Sequence, residues 1–135
     1  MRDFFAGQGL RINGVTHLSP REALAAIQRG ALLVDIREDY ELGMKTFAVP
    51  ALVALANSTF EETFDQLPTD RPLIIADSVG LRSREAVVFL QRHGYTYVAS
   101  LNGGILDWES AGLPTRVGEL WAGQCACQLK PRRRG

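Results

Sequence analysis

Three apolar runs, each next to a segment with helical spacing, constrain this fold more than any other feature of the sequence. The runs are ALLVDI at 31–36, PLIIAD at 72–77 and YVASL at 97–101. Because they lack the polar alternation of a strand with one wet face, they predict strands buried on both faces. Such strands alternating with helices are typical of a parallel sheet covered on both sides. We therefore predict an α/β fold in three layers, with a parallel sheet of about five strands flanked by helices.

The helices are marked by capping residues. In SPREALAAIQRG, Ser19 is the predicted N-cap, Pro20 fits the first helical position, and Glu22 completes a capping box. A later helix has Asn57 or Ser58 as its predicted cap. The spacing predicts further elements: helices at 38–42, 57–68, 83–94 and 105–112, and a short strand at 47–49.

The chain is one domain long, and its charge is unevenly placed. It carries 15 basic and 15 acidic residues, so the total predicts no partner. Four of the basic residues lie at the end, in KPRRRG, which we interpret as a solvated terminus and not as a nucleic-acid or membrane contact. We divide the chain into an N-terminal surface segment, a folded domain and a C-terminal tail, at 1–14, 15–116 and 117–135.

Membrane and export signals are weak. No apolar run reaches the ~18 residues of a membrane span. The first residues, MRDFFAGQGLRING, lack the apolar region of a signal peptide. We therefore expect a cytoplasmic protein without a membrane or nucleic-acid partner.

The most informative stretch is IIADSVGLRSREA at 74–86, where a strand passes through a short loop into a helix. A helix start presents unpaired N–H groups and the positive end of the helix dipole. Gly80 permits a turn that other residues resist, and Arg82 adds a positive charge. The loop, residues 77–82, is therefore expected to hold an anion. The loop residues are Asp77, Ser78, Val79, Gly80, Leu81 and Arg82.

At this point the sequence resembles the rhodanese-like domains, a family of single-domain sulfurtransferases. The resemblance covers about 15–116 and rests on LSPREALAAI, LLVDIREDYELG, the stretch from PLIIADSVGLRS to YTYV, and LNGGILDWESAGLPT. In that family a cysteine opens the loop, followed by two residues, a glycine, one residue, an arginine and often a serine. Gly80, Arg82 and Ser83 match, but Asp77 stands at the cysteine position. Where the family usually has a Gly-His-Ile-Pro-Gly-Ala type run, this chain has GMKTFA, which lacks the histidine and the proline of that run.

The resemblance implies a particular role for that cysteine, which carries sulfane sulfur as a persulfide. A carboxylate has no sulfur to carry but keeps the negative charge. We therefore expect Asp77 to fill the anion cradle itself, or to cap the following helix. A carboxylate that binds a cation or acts as a base is the alternative.

The resulting expectation is a rhodanese-like domain protein without the usual nucleophile. It would be a non-catalytic or regulatory module of sulfur metabolism that binds a protein partner or a small anion. A scaffold whose loop serves only stability is a further possibility. No cofactor or metal is expected. By the same resemblance, Asp35 and Arg37 would brace the loop.

Two cysteines keep an enzymatic alternative open. Cys125 and Cys127 are too few for a closed zinc site, and one residue apart they are poorly placed to bridge each other. Nearby basic residues would favour the reactive thiolate. The alternative is thus a sulfurtransferase whose persulfide forms on Cys125 or Cys127. His17 and His93 are interpreted as structural or surface residues, and Trp108 as core.

Overall fold

The computed structural model describes residues 4–117. Its main sheet has six strands in the order β1-β2-β7-β6-β3-β5. Five of these strands run parallel to one another: β2, β7, β6, β3 and β5. The sixth, β1, lies at the edge and is antiparallel to β2. This confirms the predicted three-layer α/β fold with about five parallel strands. The strands are β1 Leu10–Ile12, β2 Val15–Leu18, β3 Leu32–Asp35, β5 Leu52–Ala54, β6 Leu73–Ala76 and β7 Val98–Leu101.

A second, two-stranded sheet lies beside the main one. It pairs β4 with β8 antiparallel, with Phe47 opposite Thr115 and Lys45 opposite Val117. The predicted strand at 47–49 is thus displaced by two residues and belongs to this smaller sheet. Its elements are β4 Lys45–Phe47 and β8 Thr115–Val117.

Helices cover both faces of the main sheet and create two apolar cores. The helices are α1 Pro20–Gln28, α2 Asp39–Leu42, α3 Phe60–Thr63, α4 Leu81–Arg92 and α5 Gly104–Ser110. On one face, α1 and α5 pack against Leu33, Ile74 and Leu101. On the other, α3 and α4 pack against Val34 and Ile75. Successive residues of β3 and β6 therefore serve opposite cores, which is why these strands are apolar throughout.

The start of α1 is built as its sequence predicts. Ser19 accepts a hydrogen bond from the Glu22 N–H at 3.1 Å, and the Glu22 carboxylate accepts one from the Ser19 N–H at 2.9 Å. The Gly9 N–H donates to the same carboxylate at 3.1 Å. The backbone N–H groups of Ser19 and Gly9 lower the pKa of Glu22.

The predicted helix at 57–68 is wrong as a single element. It is a one-turn α3 between two 3-10 turns, Asn57–Thr59 and Phe64–Gln66. Neither Asn57 nor Ser58 caps it. The Ser58 hydroxyl instead donates to the Glu38 carboxylate at 2.8 Å. Local propensity therefore yields to a contact with a distant segment.

Within residues 4–117, no helix combines the length and the apolar character needed to cross a bilayer.

Candidate functional site

The loop at 77–82 lies at the carboxyl end of β6, between β7 and β3 in the sheet. Ligand sites in parallel sheets form at this edge, where loops lead from strands into helices. Here α4 begins two residues earlier than predicted, with Gly80 as its N-cap, so Leu81 and Arg82 of the loop form the first turn of the helix. The predicted strand, loop and helix are therefore all present in the expected order.

The carboxylate of Asp77 points into the loop. One oxygen accepts a hydrogen bond from the Gly80 N–H at 2.6 Å, and the other accepts one from the Arg82 N–H at 2.8 Å. The Arg82 side-chain Nε lies 3.9 Å from the second oxygen. The residue is 0% exposed. Asp77 thus caps the start of α4 from within the loop, with both oxygens satisfied by backbone donors.

The other side of the loop rests on the start of α5. The carbonyl oxygen of Asp77 accepts from the Ile105 N–H at 2.9 Å, and that of Ser78 from the Leu106 N–H at 3.3 Å. These bonds satisfy two of the N–H groups that a helix start leaves unpaired. The backbones meet closely, because a Cβ on Gly104 would lie 2.4 Å from the carbonyl carbon of Ser78. The NGG turn therefore provides close contact with the loop as well as a change of direction.

Asp35 and Arg37 form a buried ion pair. The two nitrogens Nε and Nη2 of Arg37 approach the Asp35 carboxylate at 2.9–3.2 Å, and the side chains are 5% and 0% exposed. Arg37 also donates to the carbonyl oxygen of Lys45 at 2.8 Å. Their side-chain hydrogen bonds thus join β3 to β4. The connection to the loop is a backbone bond from the Ile36 N–H to Ala76, at 2.9 Å, one residue before Asp77.

A contact that the sequence did not indicate links the loop to α2. The Ser78 hydroxyl donates to the Glu41 carboxylate at 3.0 Å, across 37 positions of sequence. The other Glu41 oxygen accepts from the Glu38 N–H at 2.8 Å, at the start of α2. Glu41 therefore supports both the helix and the loop. Its acidic position in a first helical turn was the one available signal, and that signal indicates only a helix start.

Polar groups also lie behind the loop, between α4 and the sheet. The hydroxyls of Ser83 and Ser100 are 2.9 Å apart and fully buried. His17 is opposite Ser100 in the pairing of β2 with β7. Its Nε2 has no hydrogen-bond partner among the described residues. Burial, and then the charge of Arg84, lower the pKa of His17.

His93 and Trp108 have structural contacts. His93 Nδ1 lies 2.8 Å from the Phe89 carbonyl oxygen, and its ring stacks on that of Phe89 at 4.1 Å. Trp108 is 0% exposed and donates to the carbonyl oxygen of Pro114 at 2.8 Å.

Several large apolar side chains are exposed around the loop. Val79 and Leu81, on the loop itself, are 47% and 63% exposed. Leu106, which follows the loop contact on α5, and Tyr40, which precedes Glu41 on α2, are 55% and 69% exposed. We call these four residues the loop face.

Cys125 and Cys127 lie outside the described residues, as do the basic residues of the end. Consequently no thiol lies within residues 4–117. The same stretch contains no group of three or more His, Cys, Asp or Glu side chains arranged to hold a metal ion.

Comparisons with known proteins agree with this architecture. The family model described as a rhodanese-like domain matches residues 19–111. The thiosulfate sulfurtransferase GlpE of Haemophilus influenzae is 33% identical over 98 residues, which are 72% of this chain and 90% of the relative. A sulfurtransferase of Allochromatium vinosum is 35% identical over 83 residues, or 62% of this chain and 76% of the relative. The crystal structure of a rhodanese-related protein from Thermoplasma volcanium has a TM-score of 0.68 at 25% identity, covering 74% of this chain and 96% of the other.

Proposed function

The chain belongs to the rhodanese-like domain family, and we propose that it acts there as a binding or regulatory module of sulfur metabolism without the loop nucleophile. In this proposal Asp77 occupies the position of the family's sulfur-carrying cysteine. The assignment rests on the spacing of Gly80, Arg82 and Ser83 after Asp77. The partner would be a protein that contacts the loop face.

The observation that carries the proposal is the environment of the Asp77 carboxylate. In a sulfur-transferring loop, N–H groups stabilise the negative charge of a thiolate or persulfide. Here the Gly80 and Arg82 N–H groups donate to Asp77 itself, at 2.6 and 2.8 Å. A carboxylate cannot form a persulfide. An incoming anion such as thiosulfate would meet a negative charge and donors that are already engaged.

The loop face supports a protein partner over a small anion. Its four apolar residues are 47–69% exposed, so they offer area that an anion does not use. Tyr40 is of a residue type enriched at the energetic centres of protein interfaces, and the three aliphatic side chains add apolar area that a partner can cover. The contacts of Ser78 with Glu41 and with α5 hold the loop in place, which lowers the entropy that binding would cost.

An activity assay tests the missing nucleophile. Thiocyanate formation from thiosulfate and cyanide would be measured for the parent, for Asp77→Cys and for Asp77→Ser. All three would carry Cys125→Ser and Cys127→Ser, which removes the tail thiols. We expect activity only in Asp77→Cys, together with a mass gain of one sulfur atom after thiosulfate treatment. Activity in the parent without its tail thiols would disprove the proposal.

A second measurement separates a binding module from a scaffold. Proteins captured by the parent would be compared with those captured by Leu81→Asp. Leu10→Asp is a matched control, because Leu10 is 64% exposed and Leu81 is 63% exposed. A partner lost only in Leu81→Asp supports binding through the loop face. Identical capture by all three proteins would favour the scaffold.

An alternative function uses the thiols of the tail. The described residues end at Val117 in β8, and Val117 pairs with Lys45 of β4. The carbonyl oxygen of Lys45 accepts a hydrogen bond from Arg37. Cys125 is eight residues further along the sequence, so the covalent reach from Val117 is at most ~29 Å. In this alternative the protein is a sulfurtransferase that carries the persulfide on Cys125 or Cys127. Parent activity that disappears in Cys125→Ser or Cys127→Ser would support this sulfurtransferase.

A further inference from the structure

We propose that a groove between the β1–β2 hairpin and α4 binds a hydrophobic organic anion, such as an aryl or alkyl sulfonate or carboxylate. We call it the α4 groove. Its apolar wall consists of Ile12, Val15, Val88 and Phe89. Asn13, Arg84, Glu85 and Arg92 add the polar groups. This proposal is independent of the function proposed for the loop, because no residue of the loop lines the groove.

The dimensions suit a small molecule. The volume of the groove is about 410 Å³. Ligand sites of proteins have volumes of about 300–1,000 Å³, with mostly apolar walls and a few polar groups that fix orientation. A second cavity beside the same hairpin, lined in part by Phe4, Phe5 and Arg11, has only about 180 Å³.

Helical spacing places the apolar and charged groups in one line. Arg84, Val88 and Arg92 are four residues apart on α4, so they share one side of the helix. The rise of an α-helix separates the two arginines by ~12 Å along its axis. An apolar centre therefore has a guanidinium at either end. The ring of Phe89, the next residue after Val88, is held by contacts with the rings of Phe64 and His93.

The hairpin is fixed against the helix. The Gln91 side chain donates to the carbonyl oxygen of Gly14 at 3.0 Å. This bond places the turn that contains Asn13 next to the C-terminal part of α4. Asn13 and Arg92 are therefore expected at the same end of the groove, where an amide and a guanidinium can both donate to one anionic head.

The charge of the groove favours an anion. Its lining has two arginines against the single carboxylate of Glu85. Within residues 4–117 neither Arg84 nor Arg92 takes part in an ion pair. Because Arg92 lies at the end of the groove that also holds Asn13, Arg92 is the residue expected to bind the head group. Hydrogen bonds in which the donor or acceptor is charged are roughly twice as strong as neutral ones, which makes this end decisive for affinity.

The test uses anilinonaphthalene sulfonate as the probe, titrated against the full chain by fluorescence and by calorimetry. We expect one site per chain. Arg92→Gln should weaken binding about tenfold, the effect of losing one charge-assisted hydrogen bond. Arg84→Gln should weaken it less than threefold. Arg116→Gln, an exposed arginine on β8, should leave affinity unchanged. The uncharged analogue N-phenylnaphthylamine should bind more weakly to the parent than the sulfonate does.

A second variant tests the apolar wall. Val88→Trp places a larger side chain into the groove and should abolish probe binding, with circular dichroism checking that the variant is folded. If Val88→Trp does not fold, the affinity of Arg92→Gln for the sulfonate and the affinity of the parent for the uncharged analogue still test the proposal. Equal affinity of the Arg92→Gln and Arg116→Gln proteins would overturn the proposal, as would absence of saturable binding to the parent. A dimer in solution that Val88→Trp dissociates would also overturn it, because the groove would then be an interface between copies.

Discussion

The Ser78 hydroxyl donates a hydrogen bond of 3.0 Å to the carboxylate of Glu41, which joins the loop to α2. Glu41 in turn accepts from the N–H of Glu38, whose carboxylate accepts from the backbone and hydroxyl of Ser58. The loop, α2 and the turn that contains Ser58, which are distant in sequence, thus meet at this point. These hydrogen bonds lie near the surface, whereas the Asp35–Arg37 ion pair is buried and joins β3 to β4.

Removal of the Asp77 carboxylate is expected to destabilise the protein. Asp77→Ala leaves the Gly80 and Arg82 N–H groups without their acceptors, which should lower the free energy of unfolding by about 2–4 kcal/mol. Asp77→Asn keeps one acceptor and should cost less than Asp77→Ala. Urea unfolding provides the measurement. Asp70→Ala, at an exposed aspartate, should change stability by less than about 0.5 kcal/mol. Equal effects of Asp77→Ala and Asp70→Ala would contradict the described capping.

The buried ion pair should respond differently to single and double replacement. Arg37→Met leaves the fully buried Asp35 charge unpaired and is expected to cost about 3–5 kcal/mol. Asp35→Leu combined with Arg37→Met removes both charges and should be less destabilising than Arg37→Met alone. Chemical denaturation of the two single variants and the double variant measures the coupling. Additive losses would mean that the two side chains stabilise the fold independently.

Gly104 and Gly112 offer a matched test of the contact between the loop and α5. Both have positive φ, at 62° and 79°. A Cβ on Gly112 would meet nothing within 4 Å, whereas one on Gly104 would lie 2.4 Å from Ser78 backbone atoms. Both alanine variants should show the strain of the left-handed region, about 1–2 kcal/mol. Gly104→Ala should lose about 1–3 kcal/mol more, because backbone must move. Similar melting temperatures for the two variants would refute this close approach.

The lowered pKa of His17 predicts a pH-dependent stability. Below its ordinary value of 6.5, the unfolded chain takes up a proton before the folded chain does. The free energy of unfolding should therefore decrease as pH falls from about 6.5 towards the lowered pKa. Above that window the contribution is fully present. His17→Gln should remove this dependence of stability on pH. Arg84→Gln removes one of the two causes that lower the pKa of His17, so it should narrow the pH range over which stability is lost. Denaturation midpoints measured between neutral and mildly acidic pH check both. If stability falls with pH equally in His17→Gln, other titrating groups cause the pH dependence.

The sequence predicted those parts of the fold that depend on local chemistry or on apolar runs. The Ser19–Glu22 capping box and the buried strands β3, β6 and β7 are examples. It did not predict β5 or β8, because three residues give too little periodicity for a pattern. β2 was missed for a related reason, since VTHL is short and half polar.

The candidate site divides in the same way. The loop could be located because a strand, a glycine and a helix start leave a local signature around Asp77. The bond between Ser78 and Glu41 could not, since it depends on how α2 folds back onto the carboxyl edge of the sheet. Likewise, Gly104 has a local role in a turn, but its contact with Ser78 depends on tertiary packing.

The carboxylate at the head of the loop has a consequence for the redox chemistry of this surface. Peroxide converts exposed thiolates stepwise into sulfenic, sulfinic and sulfonic acids, and a carboxylate undergoes none of these conversions. Because Asp77 is fully buried and no cysteine lies within residues 4–117, oxidants leave this loop chemically unaltered. Its shape and charge should persist under oxidative stress, so that a partner would meet the same surface in reducing and in oxidising surroundings.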